Sequence, residues 1–445
     1  MLLRRKIDRF LDEWKQNPDR LPLIVKGARQ VGKTVSIQAF AKRSYPNVIE
    51  INFALQKQYR DIFDEGFEVD VIIKNISLRN PSLRFVEHQT LIFFDELQDC
   101  VNCATSLKPF KLDGRYDVIC SGSMMGINYS EIESNSVGYK QDYELQSLDF
   151  EEYLWAKGYQ QDQIEDLFDH MVSVRPLSKI QQEVMFDNFR EYLVLGGMPA
   201  VVKSFVTNRH YGGTLQIQRQ ILADYEEDIT KYAGGLDKAK IISVYRKIPV
   251  FLGRDNKKFR ISQVARGARS REYIGVVEWL ESAAIVNVCH CMSQPALPLK
   301  GNYDPGNYKL YFRDTGLLVA SLDEEAQQDL RNNRNFNTYK GALYENIVSE
   351  MLAKQGYANY FYRDDKNSLE IDFLVRDAHS LIPIEVKAND GPSRSMQKMV
   401  ESPIYKDVQY GIKLGHKNIG RTATFYTFPY YLTFLLRRFL SERSL

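Results

Sequence analysis

A short apolar run that leads directly into a glycine-rich loop constrains the fold of this chain more than any other feature. Leu21-Pro-Leu-Ile-Val25 is typical of a buried strand, and residues 33–43 after the loop read as a helix. The loop matches the pattern G-x-x-x-x-G-K-[ST], in which backbone N–H groups and the start of a helix surround phosphate oxygens. Its members are Gly27, Ala28, Arg29, Gln30, Val31, Gly32, Lys33 and Thr34. The strand–loop–helix order therefore predicts a phosphate-binding loop for a nucleotide.

The residue types in and after this loop indicate the chemistry of the site. Lys33 can reach the terminal phosphates, and Thr34 offers a hydroxyl to Mg²⁺. The apolar run 91–94 ends in two carboxylates, Asp95 and Glu96. Asp95 can hold Mg²⁺ together with Thr34, and Glu96 can orient and deprotonate an attacking water. We therefore predict ATP and Mg²⁺ as ligands, with Lys33 and Glu96 as catalytic residues.

A pair of serines offers a further contact to the nucleotide. Ser121-Gly-Ser123 ends the next strand-like segment after the two carboxylates. The hydroxyl of Ser123 could lie beside the γ-phosphate, which makes this residue a candidate sensor. Ordinary turn chemistry explains the same tripeptide equally well.

Strand-like and helix-like segments alternate through the first 150 residues. Besides the strand before the loop, apolar runs lie at 48–53, 90–94, 116–120 and 143–148. Apolar strands separated by helices indicate a parallel sheet that is covered on both faces. The predicted fold class is α/β, with a P-loop NTPase domain over residues 1–150.

The rest of the chain divides by its pattern into three regions. Residues 151–240 read as a helical subdomain. Residues 241–322 contain two short helices and a strand, an order that suits a winged helix-turn-helix. A polar, Asn-rich segment at 321–338 is the best linker candidate. Residues 323–445 then read as a second α/β domain.

The predicted winged helix is strongly basic. The segment from Arg254 to Arg271 carries seven basic residues and one acidic residue, Asp255. A helix that starts near Ser270 could enter a major groove. The flanking side chains of Arg266, Arg269 and Arg271 could then contact double-stranded DNA. A packing module with a solvated basic face is the alternative.

Four charged residues of the last region are spaced as in a metal-dependent nuclease. Glu345 falls on a predicted helix, Asp372 lies on a strand, and Glu385 and Lys387 alternate on the next strand, facing one side. The pattern resembles the E…D…ExK signature of PD-(D/E)xK restriction-endonuclease-like domains. That resemblance implies Mg²⁺ ligands at Glu345, Asp372 and Glu385. Lys387 would position the water or stabilise the transition state. A charged strand pair in an ordinary α/β domain is the alternative.

The composition and the two ends of the chain favour a cytoplasmic protein with no membrane partner. The formal net charge is +2, so any basic surface must be local. The opening MLLRRKIDRF has no apolar stretch of a secretory signal. The longest largely apolar run, 423–436, contains Pro429 and is shorter than the roughly 20 residues that span a bilayer. Five cysteines fit a reducing compartment.

Four motifs, in a fixed order, carry a family resemblance: GARQVGKT, LIFFDELQ, LGGMP and KLYFRDTGLL. They resemble a large prokaryotic family of AAA-type ATPases fused to a C-terminal domain of unknown function. The resemblance implies an ASCE-type P-loop domain, a winged helix and a nuclease-like C-terminal domain. One departure concerns an arginine: where the family usually has Gly-Arg, this chain reads Gly138-Tyr139-Lys140.

Two functional hypotheses follow from these motifs. The first is a cytoplasmic ATPase that couples its nucleotide state to a DNA-binding, or DNA-cleaving, C-terminal region. The second is a nucleotide-switched interaction protein, in which the nuclease-like domain docks a protein partner and cuts nothing. Salt-dependent binding to duplex DNA would favour the first hypothesis.

Overall fold

A computed structural model describes residues 1–124, 136–233, 237–254, 256–332, 334, 339–388 and 391–443. Asp255, the one acid of the basic segment, lies outside these ranges, as do five residues of the predicted linker. The chain forms two compact units. The N-terminal unit comprises Leu2–Ser147 and Ser282–Ala284. The C-terminal unit comprises Leu148–Glu281 and Ile285–Leu445, together with Met1.

The N-terminal unit is built on a five-stranded parallel sheet. Its strands are β1 (Leu23–Gly27), β2 (Asn47–Asn52), β3 (Thr90–Asp95), β4 (Asp117–Ser123) and β5 (Gln141–Glu144). Their order in the sheet is β2-β3-β4-β1-β5, and every neighbouring pair is parallel. The predicted parallel α/β sheet is confirmed. The last strand is shorter than predicted, because it pairs with β1 only as far as Glu144.

Helices lie beside the strands of this sheet in the chain. They are α1 (Lys6–Gln16), α2 (Lys33–Ser44), α3 (Val69–Arg79) and α4 (Asn102–Asp113). Strand β3 is buried along its whole length, and Phe94 stacks on Phe53 with ring centroids 5.6 Å apart. A strand buried on both faces has to be apolar until it ends. The carboxylate of Asp95 therefore appears at the carboxyl edge of the sheet, where ligands of open parallel sheets bind.

Helices dominate the first part of the C-terminal unit, as predicted. They are α5 (Phe150–Lys157), α6 (Gln161–Val172), α7 (Lys179–Leu195), α8 (Pro199–Asn208), α9 (Thr214–Tyr232) and α10 (Lys238–Leu252). The LGGMP motif separates α7 from α8 and meets the RDTGLL motif. There the carboxylate of Asp314 accepts a hydrogen bond from the backbone N–H of Gly197 at 2.8 Å. A Cβ at Gly197 would lie 1.9 Å from the carbonyl oxygen of Leu148, so only glycine fits.

The segment predicted to be a DNA-recognition helix has a different structure. A single 3₁₀ turn covers Ser270–Tyr273, and a short helix, α11 (Val276–Ser282), follows it. Gly275 lies between them with φ of 81°, a left-handed conformation that interrupts a right-handed helix. The prediction of a helix starting near Ser270 is therefore wrong.

The other elements of the C-terminal unit build a second, mixed sheet. They are β6 (Val286–Met292), β7 (Tyr303–Phe312), α12 (Thr315–Ala320), α13 (Ala326–Arg331), α14 (Tyr339–Lys354), β8 (Asn359–Asp364), β9 (Leu369–Arg376), β10 (Leu381–Val386), α15 (Arg394–Glu401), β11 (Gly411–Gly415), β12 (Gly420–Arg421), β13 (Phe425–Pro429) and α16 (Leu436–Arg443). The eight strands follow the order β12-β13-β11-β10-β9-β8-β6-β7.

The second sheet does not respect the predicted domain boundary. Strand β6 pairs in parallel with β8, so one sheet crosses the boundary predicted between residues 322 and 323. Parallel pairing joins strands distant in sequence, and strand periodicity alone does not reveal it. Helix α13 lies inside the segment 321–338, which the sequence pattern predicts to be a linker.

A membrane-spanning helix needs a long apolar stretch, and none of the helices in the described ranges has one.

Candidate nucleotide-binding site

The phosphate loop closes so tightly on its neighbours that its first glycine is indispensable. A Cβ at Gly27 would lie 2.1 Å from the carbonyl oxygen of Leu145. Further along the loop, Gln30 and Gly32 adopt left-handed backbone conformations with φ of 64° and 96°. Helix α2 begins directly after Gly32 and has no acidic residue in its first turn. The start of this helix, with its positive dipole end, therefore suits an anion.

Lys33 folds back over the loop. Its ammonium group donates hydrogen bonds to the carbonyl oxygens of Gly27 at 3.1 Å and Ala28 at 2.7 Å. The side chain is only 9% exposed, so the positive charge is held inside the curve of the loop. Of the other predicted loop residues, Ala28 and Val31 are buried, and Arg29 is half-buried. The arrangement places one cation and the start of α2 on the same side of the loop.

Asp95 collects hydrogen bonds from three neighbouring elements at the end of β3. It is 3% exposed, and its two carboxylate oxygens each lie 3.2 Å from the hydroxyl of Thr34. The side-chain amide of Asn52 donates to it at 2.9 Å, and the hydroxyl of Ser121 donates as well. Carboxylate and hydroxyl oxygens are the ligands that Mg²⁺ prefers. The pair of Thr34 and Asp95 therefore fits Mg²⁺ without rearrangement of the strands.

Glu96 follows in a left-handed backbone conformation, with φ of 59° and ψ of 53°. Its carboxylate accepts a hydrogen bond from the side-chain amide of Gln98. The carbonyl oxygen of that amide accepts from the backbone N–H of Ser123 at 3.2 Å. The hydroxyl oxygen of Ser123 is buried and has no hydrogen-bond partner among the described residues. The predicted base and the predicted sensor are thus joined through one glutamine.

Arg5 supports the loop from helix α1's N-terminal side. It is 5% exposed, and its guanidinium donates to the carbonyl oxygens of Val31 at 2.9 Å and Gln146 at 2.7 Å. It thereby ties the phosphate loop to the segment that follows β5. A single arginine in a basic N-terminal stretch carries no sequence signal for this role, and sequence reasoning missed it. It also missed Asn52 and Gln98, which contact Asp95 and Glu96 respectively.

A buried cluster of charges occupies the predicted nuclease-like site of the C-terminal unit. Both oxygens of Glu345 are engaged: Lys257 donates to one at 2.6 Å, and Tyr311 donates to the other at 2.9 Å. The ammonium of Lys309 lies 3.7 Å from Glu345 and is 2% exposed. Burial alone would raise the pKa of Glu345, but the charges of Lys309 and Lys257 and the hydrogen bonds from Lys257 and Tyr311 outweigh it, so the pKa lies below its usual value. Glu345 is therefore an ionised group that the protein's own cations neutralise.

Asp372 and Glu385 are less well satisfied than Glu345. Asp372 accepts a hydrogen bond from the backbone N–H of Val386 at 2.8 Å. Its burial, and then the charge of Glu345, raise the pKa of Asp372 to about 7. One oxygen of Glu385 lies 2.5 Å from the ammonium of Lys387, and the other is buried without a partner among the described residues.

The three carboxylates predicted as metal ligands are not arranged as a three-ligand metal site. Across the part of the chain that the structure describes, no three His, Cys, Asp or Glu side chains are grouped so that they could hold a metal ion. Glu345 is taken up by Lys257 and Lys309, which arrive from outside the E…D…ExK pattern.

Three family models match successive parts of the chain. A family model described as an AAA domain matches residues 19–154. Residues 19–154 are therefore similar to AAA-type ATPase domains. Two domains of unknown function, DUF8612 and DUF4143, match residues 186–328 and 340–432. No curated protein matches the chain.

Several solved structures are similar at low identity. A Walker-type ATPase of Pyrococcus abyssi is 14% identical, over 72% of this chain and 96% of that one, with a TM-score of 0.42. The RuvB Holliday junction branch migration motor of Thermotoga maritima is 13% identical, over 64% and 89%, with a TM-score of 0.31. The ORC1 protein of Aeropyrum pernix, solved in complex with DNA, is 11% identical, over 75% and 93%, with a TM-score of 0.29.

The basic segment between Arg254 and Arg271 is only partly a surface feature. Arg266, Arg269 and Arg271 are exposed, and none of them forms an ion pair with another described residue. Lys257, by contrast, points inward to Glu345. One of the seven positive charges counted in the sequence is therefore internal. The three arginines remain the candidates for contact with an external anion.

Proposed function

We propose that the chain binds ATP with Mg²⁺ and hydrolyses it at the carboxyl edge of the parallel sheet. The observation that carries this proposal is the approach of Asp95 to Thr34, with 3.2 Å between the hydroxyl and each carboxylate oxygen. The ammonium of Lys33 lies on the same loop, and the start of α2 faces the same space. A cation, a helix start and a magnesium-type oxygen pair together suit a nucleoside triphosphate.

Each side chain then has a distinct task in the reaction. Lys33 neutralises charge on the terminal phosphates, and Thr34 and Asp95 hold Mg²⁺. Bound Mg²⁺ supplies charge stabilisation for the transferred phosphoryl group. Glu96 accepts the proton of the attacking water, and the hydroxyl of Ser123 contacts the γ-phosphate.

Phosphate release by the full chain tests this proposal. Glu96→Gln retains the size and the hydrogen bonding of the side chain but cannot accept the proton. We expect hydrolysis to fall by ~10²-fold or more while bound ATP persists. Glu50→Gln is the matched control, because Glu50 is an exposed glutamate of strand β2 and should keep wild-type turnover. If the Glu96 variant turns over ATP at the wild-type rate, Glu96 is not the base.

We also propose that nucleotide state controls contact with double-stranded DNA. The three exposed arginines, Arg266, Arg269 and Arg271, carry this part of the proposal, since each lacks an ion-pair partner among the described residues. Their charge reversal should weaken duplex binding and flatten the salt dependence by up to ~0.9 log units per lost phosphate contact. Binding should be measured by fluorescence anisotropy at several salt concentrations, with and without ATP.

A matched control separates local contact from the effect of total charge. Reversal of three exposed lysines elsewhere in the C-terminal unit changes the net charge equally; suitable positions are Lys179, Lys203 and Lys366. The proposal predicts a smaller salt slope only for the arginine variant. If both variants lose the same slope, or if the wild type does not bind duplex DNA, the basic segment is a packing module.

A second candidate function, phosphodiester cleavage, is favoured by the unsatisfied oxygen of Glu385. A divalent cation at Asp372 and Glu385 would give that buried oxygen a partner and would offset the burial and the Glu345 charge that raise the pKa of Asp372. Lys387, 2.5 Å from Glu385, would then act on the attacking water or on the transition-state charge.

Incubation with plasmid DNA and Mn²⁺ tests this candidate. Asp372→Ala should abolish uptake of the ion, and Lys387→Ala should leave ion binding but slow nicking. Lys366→Ala, an exposed lysine of the same domain, serves as the control. Absence of nicking and of ion uptake by the wild type would favour the rival hypothesis, a nuclease-like domain that docks a protein partner.

A further inference from the structure

Gln98 connects two parts of the nucleotide site that come from different strands. It lies in the 3₁₀ turn Leu97–Asp99, directly after Glu96. Its amide nitrogen donates to the carboxylate of Glu96, and its amide oxygen accepts from the backbone N–H of Ser123 at 3.2 Å. A backbone N–H can only donate, so Ser123 fixes which end of the amide is the oxygen. The NH₂ group must then face Glu96.

The backbone around Glu96 brings these groups together. Glu96 has a left-handed conformation, with φ of 59°, which is uncommon for a residue with a side chain. Its N–H donates to Asp95 at 3.1 Å, and its carbonyl oxygen accepts from the N–H of Asp99 at 2.9 Å. The turn therefore reverses the chain at once, and Gln98 comes back alongside Glu96. Strain of this kind concentrates at functional sites.

Ser123 contributes a second, independent observation. It is the last residue of β4, it is 1% exposed, and its hydroxyl oxygen has no hydrogen-bond partner among the described residues. A buried hydroxyl without a partner is costly, unless a ligand supplies one. The same residue thus offers a hydroxyl to an incoming group and holds Gln98 through its backbone.

We propose that Gln98 is a positioning residue that couples Glu96 to Ser123, so that contact between Ser123 and the terminal phosphate of ATP sets the position of the base. The inference rests on the proposed ATP hydrolysis and adds its regulation: contact of Ser123 with the γ-phosphate is transmitted through Gln98 to the base. A nucleoside diphosphate, which lacks that phosphate, leaves the hydroxyl of Ser123 without this ligand.

Steady-state turnover and ATP affinity of variants in the full chain test the coupling. Gln98→Ala removes both contacts and should lower kcat about tenfold, with ATP affinity within about twofold of wild type, because no phosphate contact is lost. Gln98→Glu keeps the size of the side chain and an acceptor for the N–H of Ser123, but places a like charge against Glu96. It should lower kcat at least as much. Gln38→Ala is the control, since Gln38 makes an exposed 2.8 Å contact with Glu50 and should leave kcat unchanged.

A double-mutant cycle with Ser123→Ala gives the decisive readout. If the two residues act through one relay, the Gln98→Ala/Ser123→Ala double variant should be about as slow as the slower single variant. Two independent contributions would instead multiply, and that result overturns the inference. Wild-type kcat in both Gln98 variants also overturns it, while leaving the proposed hydrolysis intact. A wild-type chain that binds ATP but releases no phosphate overturns the proposed function itself, and the inference with it.

Discussion

Asp372 offers a quantitative test of the charge cluster, because its carboxylate is buried beside another carboxylate. Burial, together with the charge of Glu345, raises the pKa of Asp372 from 3.8 to about 7 in the folded chain. Replacement by asparagine removes the charge and keeps an oxygen that can accept from the N–H of Val386, 2.8 Å away. Asp372→Asn therefore isolates the cost of ionising this buried group.

The size of the effect follows from the shift in pKa. The folded chain keeps a proton on Asp372 that the unfolded chain releases, so stability falls as pH rises from 3.8 to about 7. Each pH unit in that window costs about 1.36 kcal/mol, which gives about 4 kcal/mol over the whole window. The asparagine variant avoids this loss. It should match wild type near pH 3.5 and exceed its stability by up to about 4 kcal/mol at pH 8.

Urea unfolding at pH 5 and pH 8 provides the assay. The stability gap in favour of Asp372→Asn should widen by about 2 to 3 kcal/mol between these two pH values. Asp365→Asn is the control, because Asp365 is an exposed carboxylate in the same domain and should show no such widening. A gap that is constant with pH, or an asparagine variant that is less stable at pH 8, would refute the reasoning. Added Mn²⁺ should stabilise only the wild type at pH 8 if Asp372 is a ligand.

Three further predictions concern single contacts. Gly27→Ala should abolish ATP binding, because the new Cβ would lie 2.1 Å from a backbone carbonyl oxygen. Calorimetric titration with ATP checks this. The control Gly341→Ala, which has open space around its Cβ, should bind ATP normally. Arg5→Ala should weaken ATP binding by about tenfold or more, since two buried hydrogen bonds to the loop region are lost; retention of full affinity would count against a role in shaping the loop. Lys309→Met should destabilise the C-terminal unit by about 3–5 kcal/mol in urea unfolding, because it leaves the buried charge of Glu345 without this partner. Removal of Glu345 in the same chain should recover part of that loss. No recovery would mean that the pair contributes only packing.

Sequence reasoning succeeded where the determining signals are local. An apolar strand, the phosphate loop 27–34 and a helix follow one another directly in the chain. Residue propensities and the spacing of the motif therefore specify all three. The contact of Thr34 with Asp95 was predictable as well, since the carboxyl ends of parallel strands share one edge of the sheet.

Sequence reasoning failed where the determining contacts are distant or depend on one backbone angle. Asn52 and Arg5 act through strands and loops far from them in sequence, and neither residue type marks its role. The left-handed Gly275 ended the helix expected from Ser270, because propensity does not locate a single positive φ. The sequence pattern assigns Lys257 to the basic surface, because its buried partner Glu345 lies 88 residues away in the chain.

The central claim is that Lys33 holds the phosphates of ATP at the start of α2. The most direct test measures ATP binding and phosphate release together on the full chain, for wild type, Lys33→Ala and the neighbouring control Lys26→Ala. Lys26 pairs with Asp142 at 3.1 Å, and its loss removes an equal charge. The account predicts that the wild type and the Lys26 variant bind and hydrolyse ATP, whereas the Lys33 variant, folded by circular dichroism, does neither. Unchanged ATP affinity in a folded Lys33→Ala chain would contradict it.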